Sequence, residues 1–404
     1  MNLAMTPRVA ALRQQTIEFI RERIVPLEAE YEREVGRGER FEFTPRMVEI
    51  IDELKAQAKA KGLWNFFLTH SELGPGLTTV EYAYLAEAMG HSQLAPEVFN
   101  CSAPDTGNME VLERYGTPAQ QERWLNPLLN GEIRSAFAMT EPEVASSDAT
   151  NIATEARLEN GEWVINGEKT YISGAGDPRC AVLICMVRTD PDAGRHGQHS
   201  QLLVPMDTPG VERVRPMQVF GDDDAPVGHM HLRFTDVRVP EDHVILGRGR
   251  GFEISQGRLG PGRVHHCMRA IGAAERAMGL MCRRALSRTA FGKPIAKLGG
   301  NGDVVANCRM AIEAARLMTL KTAHLIDNAG LKEAREYISM IKVMVPNMAL
   351  DVIDEAIQMH GAAGVSQDFP LARMYANIRT LRLADGPDAV HRLVVGRAEF
   401  ARWQ

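Results

Sequence analysis

The 404-residue sequence has little of several features that mark particular classes of protein. Its six cysteines are scattered without a Cys-x-x-Cys pair, so they indicate neither a disulfide framework nor a zinc site and are typical of a reducing compartment. Lys and Arg number 46 against 52 Asp and Glu, a balance that does not favour nucleic acid as a partner. No apolar stretch reaches the length of a membrane span, and the N-terminus lacks the apolar core of a signal peptide. We therefore expect a cytoplasmic enzyme that does not span a membrane.

Hydrophobic periodicity divides the chain into three parts and indicates an α+β fold. Apolar positions recur at helical spacing from residue 8 to about 128 and again from about 249 onward. In between, seven or so short β-prone runs alternate with turn residues, including two Asn-Gly steps. The sequence predicts an N-terminal α-helical domain at 1–131, a small β-barrel or sandwich at 132–245 and a C-terminal four-helix bundle at 246–404.

Local signals indicate where several helices begin and end. Thr44 and Thr79 stand at N-cap positions, and Gly90 stands where a helix is expected to stop. In the C-terminal part, one long helical run ends at Gly330, and the next is expected to be kinked at Pro346.

Two segments of the β region offer the groups that a flat, polar-edged ring requires. The first runs from Ile133 through the Thr-Glu-Pro turn into a loop rich in Ser and Asp. The second is a hairpin strand that closes in Tyr171-Ile172-Ser173. Backbone N–H groups and hydroxyls suit the edge of a flavin, and an aromatic-aliphatic wall suits its face.

Together with three later motifs, these segments resemble, nearly position for position, the acyl-CoA dehydrogenase family. The later motifs are Arg-x-x-Phe-Gly from Arg288, the Gly-rich run from Gln358 and Asp-Gly-Pro-Asp from Asp385. All five occur in the family's order, and the resemblance covers the whole chain. The resemblance implies a helical–β–helical fold, FAD as cofactor and oxidation of an acyl-CoA thioester to its 2-enoyl form.

The resemblance also implies individual cofactor contacts. Thr140 is expected at the pyrimidine edge of the flavin, Ser173 at its N5 atom, and Arg288 at the pyrophosphate across a subunit interface. Contacts between subunits imply a homodimer or homotetramer, and the family's electron acceptor implies an electron-transfer flavoprotein as partner. The full implied set is Phe137, Met139, Thr140, Ser147, Tyr171, Ser173, Arg288, Phe291, Gln358, Gly361 and Pro387.

Asp385 stands where the family commonly has the Glu that removes the α-proton of the substrate. Desolvation raises the pKa of a carboxyl group and makes it a competent base, and an Asp occurs here in some branches of the family. The implied substrate-binding residues are Ser147, Arg263 and Gly386. No acid stands within residues 259–262, the other position that the family uses for the base, which leaves Asp385 without an obvious rival. If Asp385 is not the base, Asp388 is the next candidate.

Other interpretations of these residues stay open. Each motif also fits a purely structural role as a turn, a strand end or a helix stop. His265-His266 and the three consecutive Asp from Asp222 lack partners at metal spacing, and we interpret the Asp run as a solvated turn rather than a metal site. The alternative functions are a flavin oxidase of the same fold, of the nitroalkane or acyl-CoA type, and a catalytically silent acyl-CoA-binding homologue. The second is suggested by Pro387 and by the short side chain of Asp385.

Overall fold

The computed structural model describes residues 3–404, which form two compact units. One unit contains the N-terminal segment as far as Pro26 together with Phe66–Pro96 and Gly260–Gln404. The other contains Leu27–Asn65 and Glu97–Leu259. Both units are built from separate stretches of sequence. The three domain ranges expected from periodicity stay predictions.

The chain before the sheet is helical, which confirms the prediction from periodicity. Helices α1 to α8 span Pro7–Phe19, Val25–Val35, Pro45–Ala60, Thr79–Met89, Ala95–Val98, Asp105–Tyr115, Pro118–Gln120 and Asn126–Asn130. Two π-helical turns, which join α1 to α2 and α7 to α8, lie at Ile20–Ile24 and Gln121–Leu125.

The ends of these helices agree with the sequence signals except at one cap. Thr44 caps α3, and Gly90 ends α4. The cap of α4 is Thr78 and not Thr79, so that prediction is wrong by one residue. The Thr78 hydroxyl accepts the Glu81 N–H over 3.2 Å, and the Glu81 carboxylate accepts the Thr78 N–H over 3.0 Å. These reciprocal bonds satisfy two N–H groups at the start of the helix, which is why Thr78 is preferred.

In the described part of the chain, the predicted seven strands are confirmed and belong to one curled sheet. Strands β1 to β7 span Arg134–Ala138, Glu155–Glu159, Glu162–Ser173, Cys180–Arg188, His199–Pro205, Val211–Pro216 and His229–Pro240. Their order is β1-β4-β2-β3-β7-β6, and β5 pairs with β4. Strand β1 runs parallel to β4, whereas β3 pairs antiparallel with β2 and with β7. The sheet's buried core includes Ile165, Leu183, Val204, Leu232 and Phe234.

Long helices follow the sheet. Helix α9 spans Gly251–Ser287, the short strands β8 and β9 span Thr289–Ala290 and Lys293–Pro294, and helices α10 to α12 span Asn301–His360, Leu371–Thr380 and Asp388–Ala401. Helix α10 packs against α4, α11 and α12. Its backbone leaves helical angles at Gly330, as the sequence indicates, and stays helical through Pro346. Among the described residues, no helix combines the length and the apolar character needed to cross a membrane.

Candidate functional site

A main-chain hydrogen bond joins the two segments that the sequence singles out for the flavin. The N–H of Thr170 donates to the carbonyl of Thr140 over 2.8 Å, next to Tyr171. Thr140 is exposed just beyond β1, and Tyr171 is 54% exposed at an irregularity of β3. The fold thus joins the residue that carries an exposed hydroxyl to the chain neighbour of an exposed aromatic residue.

A buried ion pair fixes this junction. Lys169 is fully buried, and its Nζ donates to Glu141 Oε1 over 2.8 Å and to the Met139 carbonyl over 3.1 Å. The Glu141 carboxylate also accepts the N–H groups of Ala153 and Thr154 over 2.8 and 2.9 Å. Burial opposes the charge on Glu141, but Lys169 and these donors outweigh it and lower the pKa of Glu141. The Glu of the Thr-Glu-Pro turn is therefore an anchor for the loop, a role that sequence reasoning missed.

The Phe137 ring, an expected cofactor contact, already has one face covered. The guanidinium carbon of Arg258 lies 4.0 Å from the centroid of this ring, within range of a cation–π interaction. Arg258 Nε also donates to Asn108 Oδ1 over 3.3 Å, which holds the guanidinium in place. Any contact of Phe137 with a cofactor therefore involves its main chain or the rest of its ring.

Two adjacent serines of the following loop have different surroundings. Ser146 Oγ accepts the N–H of Glu141 over 2.9 Å and so stabilises the turn. Ser147, the expected phosphate or acyl-CoA contact, is exposed. The loop therefore presents Ser147 at the surface, while Ser146 holds the loop's shape.

Ser173 lies opposite His229 across strands β3 and β7. Ser173 Oγ is 2.8 Å from His229 Nδ1, and His229 Nε2 is 3.6 Å from Asp224 Oδ2. The interpretation of the Asp run as a solvated turn is wrong for Asp223, whose carboxylate accepts a 2.9 Å hydrogen bond from Arg40 Nε. Among residues 3–404, no group of three or more His, Cys, Asp or Glu side chains is arranged to hold a metal ion.

The chemistry of this donor set fits a flavin. An isoalloxazine ring needs hydrogen-bonding groups at its edge and an aromatic or aliphatic contact on its face. The exposed Thr140, the half-buried Ser173 and the exposed Tyr171 ring supply these groups within one region of the sheet.

The candidate base lies in the other unit, on the turn between α11 and α12. Asp385 has a left-handed φ of 55°, which is uncommon for a residue with a side chain. Arg263 Nε donates to the main-chain oxygen of Asp385 over 2.9 Å, and His391 Nε2 lies 3.2 Å from the same oxygen. Lys342 Nζ lies 3.4 Å from the Gly386 carbonyl. Side chains from α9, α10 and α12 therefore hold the backbone of this turn.

Burial favours the uncharged forms of these three side chains. It lowers the pKa of Arg263 and of Lys342, and burial with these two cations nearby lowers the pKa of His391 to about 4. His391 is therefore neutral near pH 7. Because the Asp385 carbonyl can only accept, Nε2 carries the hydrogen, and Nδ1 is free to accept from the Ser339 hydroxyl, 3.3 Å away.

The carboxylate of Asp385 faces the early part of α9. His266 Nε2 lies 3.5 Å from Asp385 Oδ2, and a Cβ placed on Gly262 would lie 3.7 Å from the same oxygen. Gly262 is within residues 259–262, which the resemblance implies as the other position for the base. The structure thus places that position beside the Asp385 carboxylate.

Asp388, the next candidate for the base, is held by Arg382 and Asn347. Its Oδ2 accepts Arg382 Nε over 2.8 Å and Asn347 Nδ2 over 3.2 Å. Burial opposes ionisation, but these two donors outweigh it and lower the pKa of Asp388. Asp388 therefore anchors the start of α12, and its neighbour Pro387 is the N-cap residue of that helix.

The residues expected to reach the cofactor of a neighbouring subunit are all exposed: Arg288, Phe291, Gln358 and Gly361. Phe291 is 95% exposed at the β8–β9 turn. Arg284 Nη2 donates to the His360 carbonyl over 3.2 Å and so ties the end of α9 to the end of α10. Sequence reasoning missed Arg284, because a single Arg near a helix end carries no signal of its partner.

The predicted residues therefore fall into two groups. Asp385, Arg263 and Gly386 belong to one unit, and Thr140 and Ser173 belong to the other.

Comparison with known proteins assigns this arrangement to a class. The sequence matches the N-terminal, middle and C-terminal domains of acyl-CoA dehydrogenases over residues 6–132, 136–237 and 249–400. The chain belongs to the acyl-CoA dehydrogenase family, whose cofactor is FAD, and the predictions of family, fold and cofactor are confirmed.

Individual relatives match along almost the whole chain. It is 55% identical over 401 residues to mouse acyl-CoA dehydrogenase family member 10, which is 98% of this chain and 37% of that protein. It is 50% identical to a Mycobacterium tuberculosis protein named probable acyl-CoA dehydrogenase FadE2, covering 100% and 98% of the two chains. A solved Mycobacterium abscessus structure assigned to the acyl-CoA dehydrogenases has 53% identity and a TM-score of 0.95, covering 99% and 100% of the two chains. The chain spans half or less of the length of the first mouse and Arabidopsis relatives that it matches.

Proposed function

We propose that this chain is an FAD-dependent dehydrogenase that converts an acyl-CoA thioester to the 2-enoyl-CoA, with Asp385 as the base. The observation that carries the proposal is the turn at Asp385, where Arg263, His391 and Lys342 hold two successive carbonyls. A turn fixed from three helices positions a carboxylate for proton abstraction better than a mobile loop does.

The same contacts support a role for the Gly386 N–H. In a trans peptide the N–H points opposite to the carbonyl of the preceding residue. Because the Asp385 carbonyl points toward Arg263 and His391, the Gly386 N–H points away from them. We assign this N–H to the thioester oxygen of the substrate, where it stabilises the charge that develops when Asp385 removes the α-proton.

On the flavin side, the hydroxyls of the exposed Thr140 and the half-buried Ser173 bind the ring edge, and Tyr171 contacts its face. Bound FAD supplies the acceptor, at N5, for the hydride from the β-carbon. Asp385 holds the abstracted proton, since Asp388 is paired with Arg382.

Anaerobic mixing with a panel of acyl-CoAs tests the proposal. We expect purified protein to be yellow and its flavin absorbance to bleach with at least one acyl-CoA. Protein that binds FAD but bleaches with none of the panel would favour the silent homologue. Rapid re-oxidation of the reduced enzyme by air, measured by stopped flow, would favour an oxidase over a dehydrogenase that passes electrons to an electron-transfer flavoprotein.

We also propose a homodimer or homotetramer in the cytoplasm. The exposed Arg288 and Phe291 are suited to contact the FAD of a neighbouring subunit, since a guanidinium matches a pyrophosphate and an exposed aromatic ring gains by burial. Light scattering coupled to size exclusion measures the oligomeric state directly.

A further inference from the structure

We propose that His229 sets the direction of the Ser173 hydroxyl hydrogen bond and thereby decides whether Ser173 can donate to the flavin edge. The inference rests on the proposed function, in which Ser173 faces that edge. His229 would be a positioning residue, since it acts through Ser173.

The geometry links three side chains in a row. Ser173 and His229 are directly opposed on β3 and β7, and Ser173 Oγ lies 2.8 Å from His229 Nδ1. On the far side of the ring, His229 Nε2 lies 3.6 Å from Asp224 Oδ2, an ion-pair distance rather than a direct hydrogen bond. All three residues belong to the same unit.

The direction of the hydrogen bond between Ser173 and His229 decides where the hydroxyl hydrogen of Ser173 can point. A serine hydroxyl has one hydrogen to donate. When His229 Nδ1 carries no hydrogen, it accepts that of Ser173, and none is left for the flavin. When Nδ1 is protonated, it donates to Ser173 Oγ, and the hydroxyl hydrogen is free to point elsewhere. The carboxylate of Asp224 favours a hydrogen on Nε2, so neutral His229 leaves Nδ1 as the acceptor, and only the imidazolium frees the serine.

Charged groups on the surrounding elements support the pairing of His229 with Asp224. Asp224 lies beside the His229 ring, with its Oδ2 3.6 Å from Nε2. On the same face of β7, His231 and Arg233 are both engaged by Glu168 of β3, over 2.7 and 2.9 Å. Other charged residues nearby also have partners: Asp223 pairs with Arg40, and Arg213 of β6 donates to the Ala175 carbonyl.

The test measures the midpoint potential of bound FAD against pH in the full-length protein. A hydroxyl donor at the flavin edge favours reduction. We expect His229→Leu and wild type to agree at acidic pH. Toward alkaline pH the reduction equilibrium should favour the reduced flavin in the variant by about tenfold, about 30 mV for a two-electron couple. His229→Gln, which keeps a polar side chain without a titrating group, should also lose the pH-dependent component.

Two controls separate this effect from general changes. His231→Leu alters the next residue on the same face of β7, which pairs with Glu168, and should follow wild type at every pH. In a Ser173→Ala background, adding His229→Leu should change nothing. The proposal would be overturned if the midpoint potentials of wild type and both His229 variants, plotted against pH, stay parallel across the whole range.

A second measurement needs no cofactor. In apoprotein labelled with 15N-histidine, the His229 Nδ1 resonance should be that of an acceptor nitrogen at alkaline pH and should shift in Ser173→Ala. A resonance unchanged by Ser173→Ala would overturn the His229–Ser173 link. Protein that binds no FAD would instead refute the proposed function and leave this result standing.

Discussion

His391 Nε2 lies 3.2 Å from the main-chain oxygen of Asp385 and only 2.9 Å from where a Cβ on the next residue, Gly386, would stand. Gly386 also has a φ of 98°, which residues with side chains rarely adopt. The Asp385 turn therefore depends on a glycine at this position.

Gly386→Ala should displace His391 or the turn itself. We expect a loss of about 1–3 kcal/mol in the free energy of unfolding, because the residue is held in a disfavoured region of backbone space. We also expect slower flavin bleaching by acyl-CoA. Denaturant unfolding and stopped-flow absorbance measure the two effects. Gly396→Ala, in open space within α12, is the matched control and should gain up to about 1 kcal/mol from helix propensity. Equal free energies of unfolding for Gly386→Ala and Gly396→Ala would contradict the need for a glycine at position 386.

Asp385→Asn should remove the base without removing the cofactor. Loss of a general base costs about 10²–10⁴-fold in rate, so bleaching by acyl-CoA should slow by at least about 100-fold while FAD content stays unchanged. Asp388→Asn is the control, since it weakens the contacts with Arg382 and Asn347 and should lower stability while bleaching persists. Bleaching at the wild-type rate in Asp385→Asn would place the base elsewhere.

Lys169→Met should destabilise the β-containing unit more than a surface substitution does. The variant would leave the buried Glu141 carboxylate without its cation, and breaking a buried pair in this way costs about 3–5 kcal/mol. Lys297→Met, outside this network, serves as the control and should change the free energy of unfolding by less than about 0.5 kcal/mol. Similar unfolding midpoints in urea for both variants would exclude the proposed anchor.

Glu141 should also make stability depend on pH at the acid end. Its pKa in the folded protein lies below the ordinary value of 4.5, so the unfolded state takes up a proton first as the pH falls. The stabilisation is fully present above about pH 4.5 and is lost as the pH falls through the folded-state pKa. Free energies of unfolding measured from neutral to acid pH should therefore fall less steeply for Glu141→Gln than for wild type. If the free energies of unfolding of wild type and Glu141→Gln fall in parallel with pH, Glu141 does not contribute to the pH dependence.

The sequence could predict the order of helices and strands because hydrophobic period and turn residues are local. It could not predict the burial of Lys169, since a lysine next to Glu168 in a polar stretch of β3 reads as exposed until its partner Glu141 is placed. The sequence could not predict the contact of His229 with Asp224 either. Three consecutive Asp residues suggest a solvated turn rather than a partner for a histidine. Such errors arise where a polar residue is satisfied by a partner that only the folded chain brings near.

Phe291→Ala tests the role of the exposed hairpin between α9 and α10. Because Phe291 is 95% exposed, truncating it should change the free energy of unfolding of the subunit by less than about 0.5 kcal/mol. If the ring packs on the cofactor of a neighbouring subunit, the FAD-to-protein ratio after dialysis should fall and the oligomer should weaken. Phe400→Ala, at an exposed position of α12 outside the cofactor motifs, is the control and should retain FAD. Equal FAD retention in both variants and wild type would mean that Phe291 does not contact the cofactor, whereas equal loss would indicate a general effect of removing apolar surface.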